Sequence, residues 1–512
     1  MSQRTIKWVL IIIAALLYVM QLADYINFSV DDTFISMRVA RNVADGYGFV
    51  YNIGENVEGF SNWLWVVLMA IPLKLGFFSG ADMLGLLWFA KGLSILFSVC
   101  TLIATYRFIK NIYVGDKKRD IYGLYGVLGI ISSAIFAAWS MSGMETTSFS
   151  FFLLASISLT VSLCLNDKSL LSTWVYLAIA LVCLVLSRPE GIYLSLIILG
   201  VGAFFNRKKD RQIPLLSIAG TVMICYVSLL VWRWSTFGEL VPNTYYAKTG
   251  GGLRSYLFGI KYAVAGFGSV NALLLFLAPF AFLQFKDHRL VVALLVCILS
   301  ASLFFLGYSG GDWMPGFRFI VPAIPVTTVL AIISIKTLTE RFDDRFVKYS
   351  TIVYVTVAIS VLCSIFSGRT LIRAQAPSLG SAFYSADGHL MPSHKLVAKW
   401  LKDHSDSTTL FACGEAGLIG YENQYLRMID LNGLMDKHIA RDRKENKPFD
   451  VDYVLDQRPK FVILHGSKEE ERERMNYSRS TDYFGALGES TRLHNEYRLA
   501  FECRSFDIYE RK

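Results

Sequence analysis

Two adjacent carboxylates, Asp31 and Asp32, open a polar stretch that directly follows an apolar run over residues 6–25. Acids held against a low-dielectric slab gain proton affinity, which suits a general base that takes a proton from a hydroxyl. A plainer use is also open to one of them. Asp32 is placed to cap the helix that follows, in which Phe34, Ile35, Val39 and Val43 share one side and Arg38, Arg41, Asn42 and Asp45 the other, until Gly46 ends it. Asp31 has no such simple alternative and is the preferred base of the two. Cations stand in other polar gaps: Arg188 with Glu190 at the Pro189 break, Lys248 after Tyr245 and Tyr246, and Arg318 after Asp312 and Trp313. Singly, each reads as an anchor whose stem lies on apolar surface and whose head reaches water. As a set they can accept the charge that develops on a phosphate leaving group. Trp63, Trp65, Tyr245, Tyr246 and Trp313 offer flat faces to a sugar or form an aromatic belt at a membrane surface.

Long apolar segments must position these residues. Of 512 residues, 54% are hydrophobic and 18% charged, where soluble chains carry roughly a quarter charged. Apolar runs cover residues 6–25, 60–78, 84–112, 121–140, 147–165, 170–187, 190–205, 213–237, 259–285, 290–307, 317–336 and 347–367. About twenty residues suffice to cross a hydrocarbon core of roughly 30 Å. The first run follows Arg4 and Lys7 and lacks a small-residue cleavage signal, so it reads as a retained anchor with a cytoplasmic start. If all twelve crossed, Lys117, Lys118, Arg119, Arg207, Lys208, Lys209 and Arg211 would lie outside, against the positive-inside rule. The 60–78 run, broken by Pro72 and carrying Lys74, is therefore assigned to an interfacial or re-entrant segment.

The expected fold is a polytopic α-helical membrane protein with about eleven transmembrane helices over residues 1–367, including an external loop at 27–83 that carries juxtamembrane helices. An extracytoplasmic α/β domain follows over 368–512. On this topology the acids, prolines and glycines gather in the outer loops. Disordered, collagenous, disulfide-scaffold and water-soluble classes are excluded. The net charge of +9 lies largely in short interhelical loops, where it serves topology, and no nucleic acid partner is expected.

In the polar tail the pattern predicts a helix at 394–404, strands near 408–413, 426–431, 460–465 and 500–509, and helices between them. The loops at 414–421 and 429–436 sit at strand ends, where open α/β sheets hold ligands, or they dock the domain. Their glycines form no dinucleotide fingerprint. Cys100, Cys164, Cys183, Cys225, Cys297 and Cys363 lie in apolar runs as small hydrophobes, while Cys413 and Cys503 either form a disulfide or remain buried thiols. No CxxC or clustered His/Cys set occurs, so no cofactor and no metal are expected; a divalent cation at Asp31 or Asp32 is the one place left open.

Several short runs carry a family resemblance: DDTFISMR from Asp31, GYGFVYN from Gly46, VEGFSN from Val57, SGMET from Ser142, RPEG from Arg188, PNTYYAK from Pro242 and GDWMP from Gly311. In this order the chain resembles the GT-C superfamily of polyprenyl-phosphate-sugar glycosyltransferases, and within it the arabinofuranosyltransferase-like branch. The resemblance implies that Asp31 or Asp32 activates an acceptor hydroxyl. It implies that Arg318, Arg188 and Lys248 hold the donor phosphate, and that Arg38, Glu145, Glu190, Asn243, Tyr245, Asp312 and Trp313 contribute to the substrate site. The implied reaction moves a sugar, arabinofuranose in this branch, from a polyprenyl phosphate to a hydroxyl of a glycan or protein acceptor outside the cytoplasmic (inner) membrane. Retention and inversion at the anomeric carbon both stay open. The rival is a polytopic transporter or lipid-linked-glycan flippase, which would show internal repeats and mid-span charges. The sequence shows neither.

Overall fold

The computed structural model describes residues 3–80, 82–165, 170–206, 209–248, 252–284, 288–312, 314, 316–342, 391–465, 483–503 and 505–512. The helices in chain order are α1 (Gln3–Asp24), α2 (Asp31–Asp45), α3 (Trp63–Lys74), α4 (Met83–Ile112), α5 (Arg119–Ile131), α6 (Ala134–Ser140) and α7 (Thr146–Leu165). They continue as α8 (Leu171–Ser187), α9 (Gly191–Phe205), α10 (Lys209–Phe237), α11 (Asn243–Lys248), α12 (Gly252–Leu277), α13 (Arg289–Ser309) and α14 (Ala323–Phe342). Beyond them come α15 (Pro392–His404), β1 (Leu410–Cys413), α16 (Leu418–Glu422), β2 (Arg427–Asp430), α17 (Lys437–Lys444), α18 (Val451–Asp456) and β3 (Phe461–His465). Helices α19 (Tyr483–Gly488) and α20 (Thr491–Glu496) precede strands β4 (Tyr497–Glu502) and β5 (Phe506–Arg511).

Among the described residues five helices, α1, α4, α7, α10 and α13, are long and apolar enough to cross a membrane, and the chain is a multi-pass membrane protein. The 121–140 run folds differently from the single span expected of it. It is α5 and α6, bent by 75° at Ser132 and Ser133, and the Ser133 hydroxyl caps the new helix by accepting the Phe136 N–H at 3.3 Å. Helices α8, α9 and the Ala323–Leu338 part of α14 are apolar but shorter. At twelve residues, α3 is about 18 Å long and falls short of the bilayer core. The expected count of eleven also relied on the 347–367 run, which lies outside the described residues together with Cys363.

The chain divides into two compact units. One unit comprises residues 1–26, 91–228 and 256–373. Its core is a continuous apolar cluster that includes Phe108, Ile157, Leu181, Ile198, Leu294, Ile298 and Val329, with α7, α8 and α9 packed on one another and α9 on α13. Lys7 and Lys110 bond Asp120 at 3.2 and 2.9 Å.

The other unit joins residues 27–90 and 229–255 to 374–512. Its sheet has the order β2-β1-β3-β5-β4, parallel across β2, β1 and β3 and antiparallel for the last two strands. The single strand expected over 500–509 is in fact a hairpin, because the chain turns back between Cys503 and Phe506. Cys413 on β1 and Cys503 after β4 are both free thiols; β3 and β5 separate their strands. Burial raises the Cys413 thiol well above its ordinary pKa, leaving it inert.

Helix α2 belongs to this second unit, where it packs on α3 and on α16. Asp31 and Asp32 supply negative charge to its first turn, which the helix dipole favours. The cap itself is Val30, with no side-chain bond, so Asp32 is not the N-cap expected from sequence. Gly46 ends the helix at φ +90°, and the Tyr47 N–H reaches back to the Asn42 carbonyl at 2.8 Å. Only glycine adopts that left-handed turn without strain.

Candidate functional site

Helix α2 was expected to lie at a membrane interface, but its polar side is enclosed at Arg38 and Asn42, with Arg41 half-buried and Asp45 exposed. Arg38 has no exposed surface. Its guanidinium donates to the carbonyls of Tyr51 (3.0 Å), Gly420 (2.7 Å), Gln424 (3.1 Å) and Leu426 (3.0 Å) and to Asn52 Oδ1 (3.4 Å), and it lies 4.0 Å from the centre of the Tyr51 ring. Bonds from a charged donor contribute about 1.5–3 kcal/mol each, so Arg38 binds α2 to α16 and the residues after it. Asn42 adds bonds to the Val50 and Tyr51 carbonyls and accepts from Gln424. The Tyr51 hydroxyl donates to the Ala416 carbonyl.

The two aspartates separate in role at this surface. Asp31 is 2% exposed. Its carboxylate accepts the Gly417 N–H at 2.7 Å and the Leu418 N–H at 2.8 Å, so the strand-end loop after β1 closes on this acid. Burial drives its pKa up to about 7, against the opposing pull of His394. His394, from the first turn of α15, is fully buried with Nε2 3.9 Å from Asp31 Oδ1 and 3.8 Å from Glu415 Oε2. Asp32 is partly exposed and stands 3.6 Å from the Lys248 ammonium.

Around them, α11 is locked by Asn243, whose side-chain amide donates to the Gly433, Leu434 and Asp436 carbonyls at 2.9–3.1 Å. Tyr245 is half-buried, edge-on to Tyr246, with the Lys444 ammonium 4.3 Å above its ring. Glu58 and Arg233 form a buried pair at 2.8–3.0 Å. A cavity of about 660 Å³ opens beside Glu55, Arg427, Asp436, His438, Arg441 and Tyr453.

The remaining expected residues lie in the first unit. Arg188 bonds Glu145 at 2.7 Å and also Glu190, and Arg318 pairs with Asp312 at 2.8 Å. Both guanidinium groups lie 4.9 Å from the centre of the Phe319 ring. Thr146, Phe149, Arg188, Glu190, Arg318 and Phe319 line a cavity of about 20 Å³, room for one water. Two cations here face three acids, so a phosphate entering this cluster would compete with carboxylates already in place. Trp313 lies outside the described residues.

The three residues expected to hold a phosphate thus divide between the units, Arg188 and Arg318 in one and Lys248 in the other. Sequence reasoning did not single out His394 or Arg233, and it reached Glu415 and Glu58 only as members of the 414–421 loop and the VEGFSN run. An arginine inside the apolar run VWRWSTF was a readable signal for Arg233. Nothing local marks His394, because its partners are more than 20 residues away on one side and more than 350 on the other.

A family model described as a domain of unknown function, DUF8728, matches residues 385–509. No curated protein sequence matches the chain. Among solved structures, the fold is similar to ArnT from Cupriavidus metallidurans bound to undecaprenyl phosphate, with a TM-score of 0.60 at 12% identity over 99% of this chain and 98% of that one. It is also similar to the oligosaccharyltransferase of Archaeoglobus fulgidus in complex with zinc and sulfate, with a TM-score of 0.57 at 11% identity over 98% of this chain and 73% of that one. The archaeal oligosaccharyltransferase AglB from A. fulgidus, in complex with an inhibitory peptide and a dolichol-phosphate, gives 0.58 at 10% identity over all of this chain and 74% of that one. The chain therefore has a polytopic helical fold of the GT-C kind with a small C-terminal α/β domain.

Proposed function

We propose that this protein is a membrane glycosyltransferase that moves a sugar from a polyprenyl phosphate to an acceptor hydroxyl, with arabinofuranose as the sugar and a glycan or protein as the acceptor. The observation that carries the reading is the likeness over nearly the whole chain to structures that hold undecaprenyl phosphate or dolichol-phosphate. The DDTFISMR run at the start of α2, placed directly after the first span, supports it from within the chain. The reaction runs on the outer side of the cytoplasmic membrane, where the C-terminal domain also lies.

Of the two acids, Asp32 takes the proton. It is partly exposed, whereas both oxygens of Asp31 are occupied by backbone N–H groups. As the acceptor oxygen bonds to the anomeric carbon, its proton passes to the Asp32 carboxylate and the bond from that carbon to the phosphate oxygen breaks. Lys248, beside Asp32, offers an ammonium to charged oxygens, and Arg318 with Arg188 forms the cationic group of the other unit. Asp31 acts as a positioning residue that sets the first turn of α2.

The test is to incubate purified protein with a panel of polyprenyl-phosphate sugars and an acceptor mixture and to measure release of free polyprenyl phosphate. Release from the arabinofuranosyl donor is expected, with Asp32→Asn slower by about 10² to 10⁴, the usual worth of general-base help. Release from none of the donors, or full turnover in Asp32→Asn, would refute the respective part.

A further inference from the structure

His394 is completely buried, and neither of its ring nitrogens has a hydrogen-bond partner. The carboxylates facing Nε2 stand at 3.9 Å (Asp31) and 3.8 Å (Glu415), too far for hydrogen bonds. One donor atom from each of the three residues lies within 4.8 Å of the others. We propose that Asp31, His394 and Glu415 bind one divalent transition-metal ion of the zinc type, which ties α2 to the C-terminal sheet.

Spacing, charge and the bonds to Asp31 agree with this assignment. With metal–ligand bonds of about 2.0–2.2 Å, tetrahedral ligand atoms sit roughly 3.4 Å apart, so each carboxylate needs to draw in toward Nε2 by about half an ångström. A neutral imidazole and two carboxylates carry a charge of minus two, which a dication cancels in a place where uncompensated charge is costly. The ion takes Nε2 and leaves the proton on Nδ1. The Gly417 and Leu418 N–H groups that bond Asp31 hold that ligand in orientation, as outer-shell donors do in metal sites. Phe506 walls the imidazole edge-on at 5.0 Å, and Glu415, whose side chain is 17% exposed, gives the side of entry. Three ligands among the described residues leave one position of a four-coordinate ion. An imidazole ligand selects zinc over magnesium and calcium, which favour all-oxygen sets. The His438–Asp442–Asp450 group differs: its imidazole already meets both acids at 3.1 Å and is 41% exposed.

The inference does not rest on the transferase reading, because metal content is measured without turnover. Full-length protein in lipid nanodiscs is stripped with a chelator, dialysed against zinc or against magnesium, and assayed by elemental mass spectrometry. One zinc per chain is expected, with zinc affinity at least tenfold weaker in Glu415→Gln and binding lost in His394→Ala. Cobalt substituted for zinc is expected to give the visible absorption of a four-coordinate ion, and Glu415→Gln is expected to change it. Glu415→Gln decides the matter if His394→Ala does not fold, since Glu415 is partly exposed. Zinc well below one per chain, equal zinc affinity in wild type and Glu415→Gln, or magnesium bound as tightly as zinc would each overturn the proposal.

Discussion

At the scale of single residues, the charged groups singled out for chemistry are mostly paired already. Arg38 spends its donors on backbone carbonyls, Asn243 does the same for α11, and Arg188 and Arg318 lie against acids. Pairing does not disqualify an arginine from meeting a phosphate, whose fuller negative charge competes well with a carboxylate for a planar fork of donors. Arg318→Ala is therefore expected to raise the apparent KM for the prenyl donor by about tenfold to a hundredfold while acceptor KM changes little, and Arg318→Lys to recover part of the loss. Donor and acceptor are titrated separately in membranes where insertion of each variant has been checked. Unchanged donor kinetics in Arg318→Ala would assign the residue to its pair with Asp312 alone.

At the scale of elements, α2 meets the loop after β1 with backbone against backbone. A Cβ on Gly417 would sit 2.0 Å from the Asp31 carbonyl oxygen and 2.4 Å from Oδ1. The carbonyl is backbone and cannot swing aside, so any side chain here must push α2 away from α16. Gly417→Ala is expected to destabilise the second unit by about 1–3 kcal/mol, the usual cost of overpacking, and to speed hydrogen exchange in both α2 and α16. Gly485→Ala is the control, since nothing lies within 4 Å of a Cβ there. Equal exchange in the two variants would mean that α2 and the C-terminal sheet are not held at this point.

At the scale of the whole molecule, the second unit draws on three separate stretches of chain, residues 27–90, 229–255 and 374–512. If the basic clusters stay inside, the stretch after α1 and the tail share the outer side. A cysteine reporter at Lys512 is expected to react with an impermeant thiol reagent added to intact cells, and one at Lys208 only after permeabilisation. The opposite pattern would reverse the topology and remove the outer site with it.

Much of this architecture was legible in the residue order. Apolar runs of about twenty residues marked the helices because hydrocarbon leaves a backbone no partner but itself. Gly46 at the end of α2 was readable because a left-handed turn is decided within a few residues, whereas the start was read late, with Asp32 as the cap in place of Val30. Strand-sized apolar stretches marked β1, β2 and β3. What the sequence did not reveal depends on long-range contact. An amphipathic pattern says that Arg38 and Asn42 share a side of α2, and a membrane surface or a protein interior satisfies that pattern equally well. Only the packed chain decided for the interior, by bringing the Gly420, Gln424 and Leu426 carbonyls to Arg38 across more than 380 residues. The 75° break at Ser132 and Ser133 lies in a continuous apolar run, so hydropathy had no means to signal it. His394 and Glu415 meet Asp31 for the same reason: a metal-ligand set with one member near residue 30 and two near residue 400 has no spacing motif, and only folding supplies the distance.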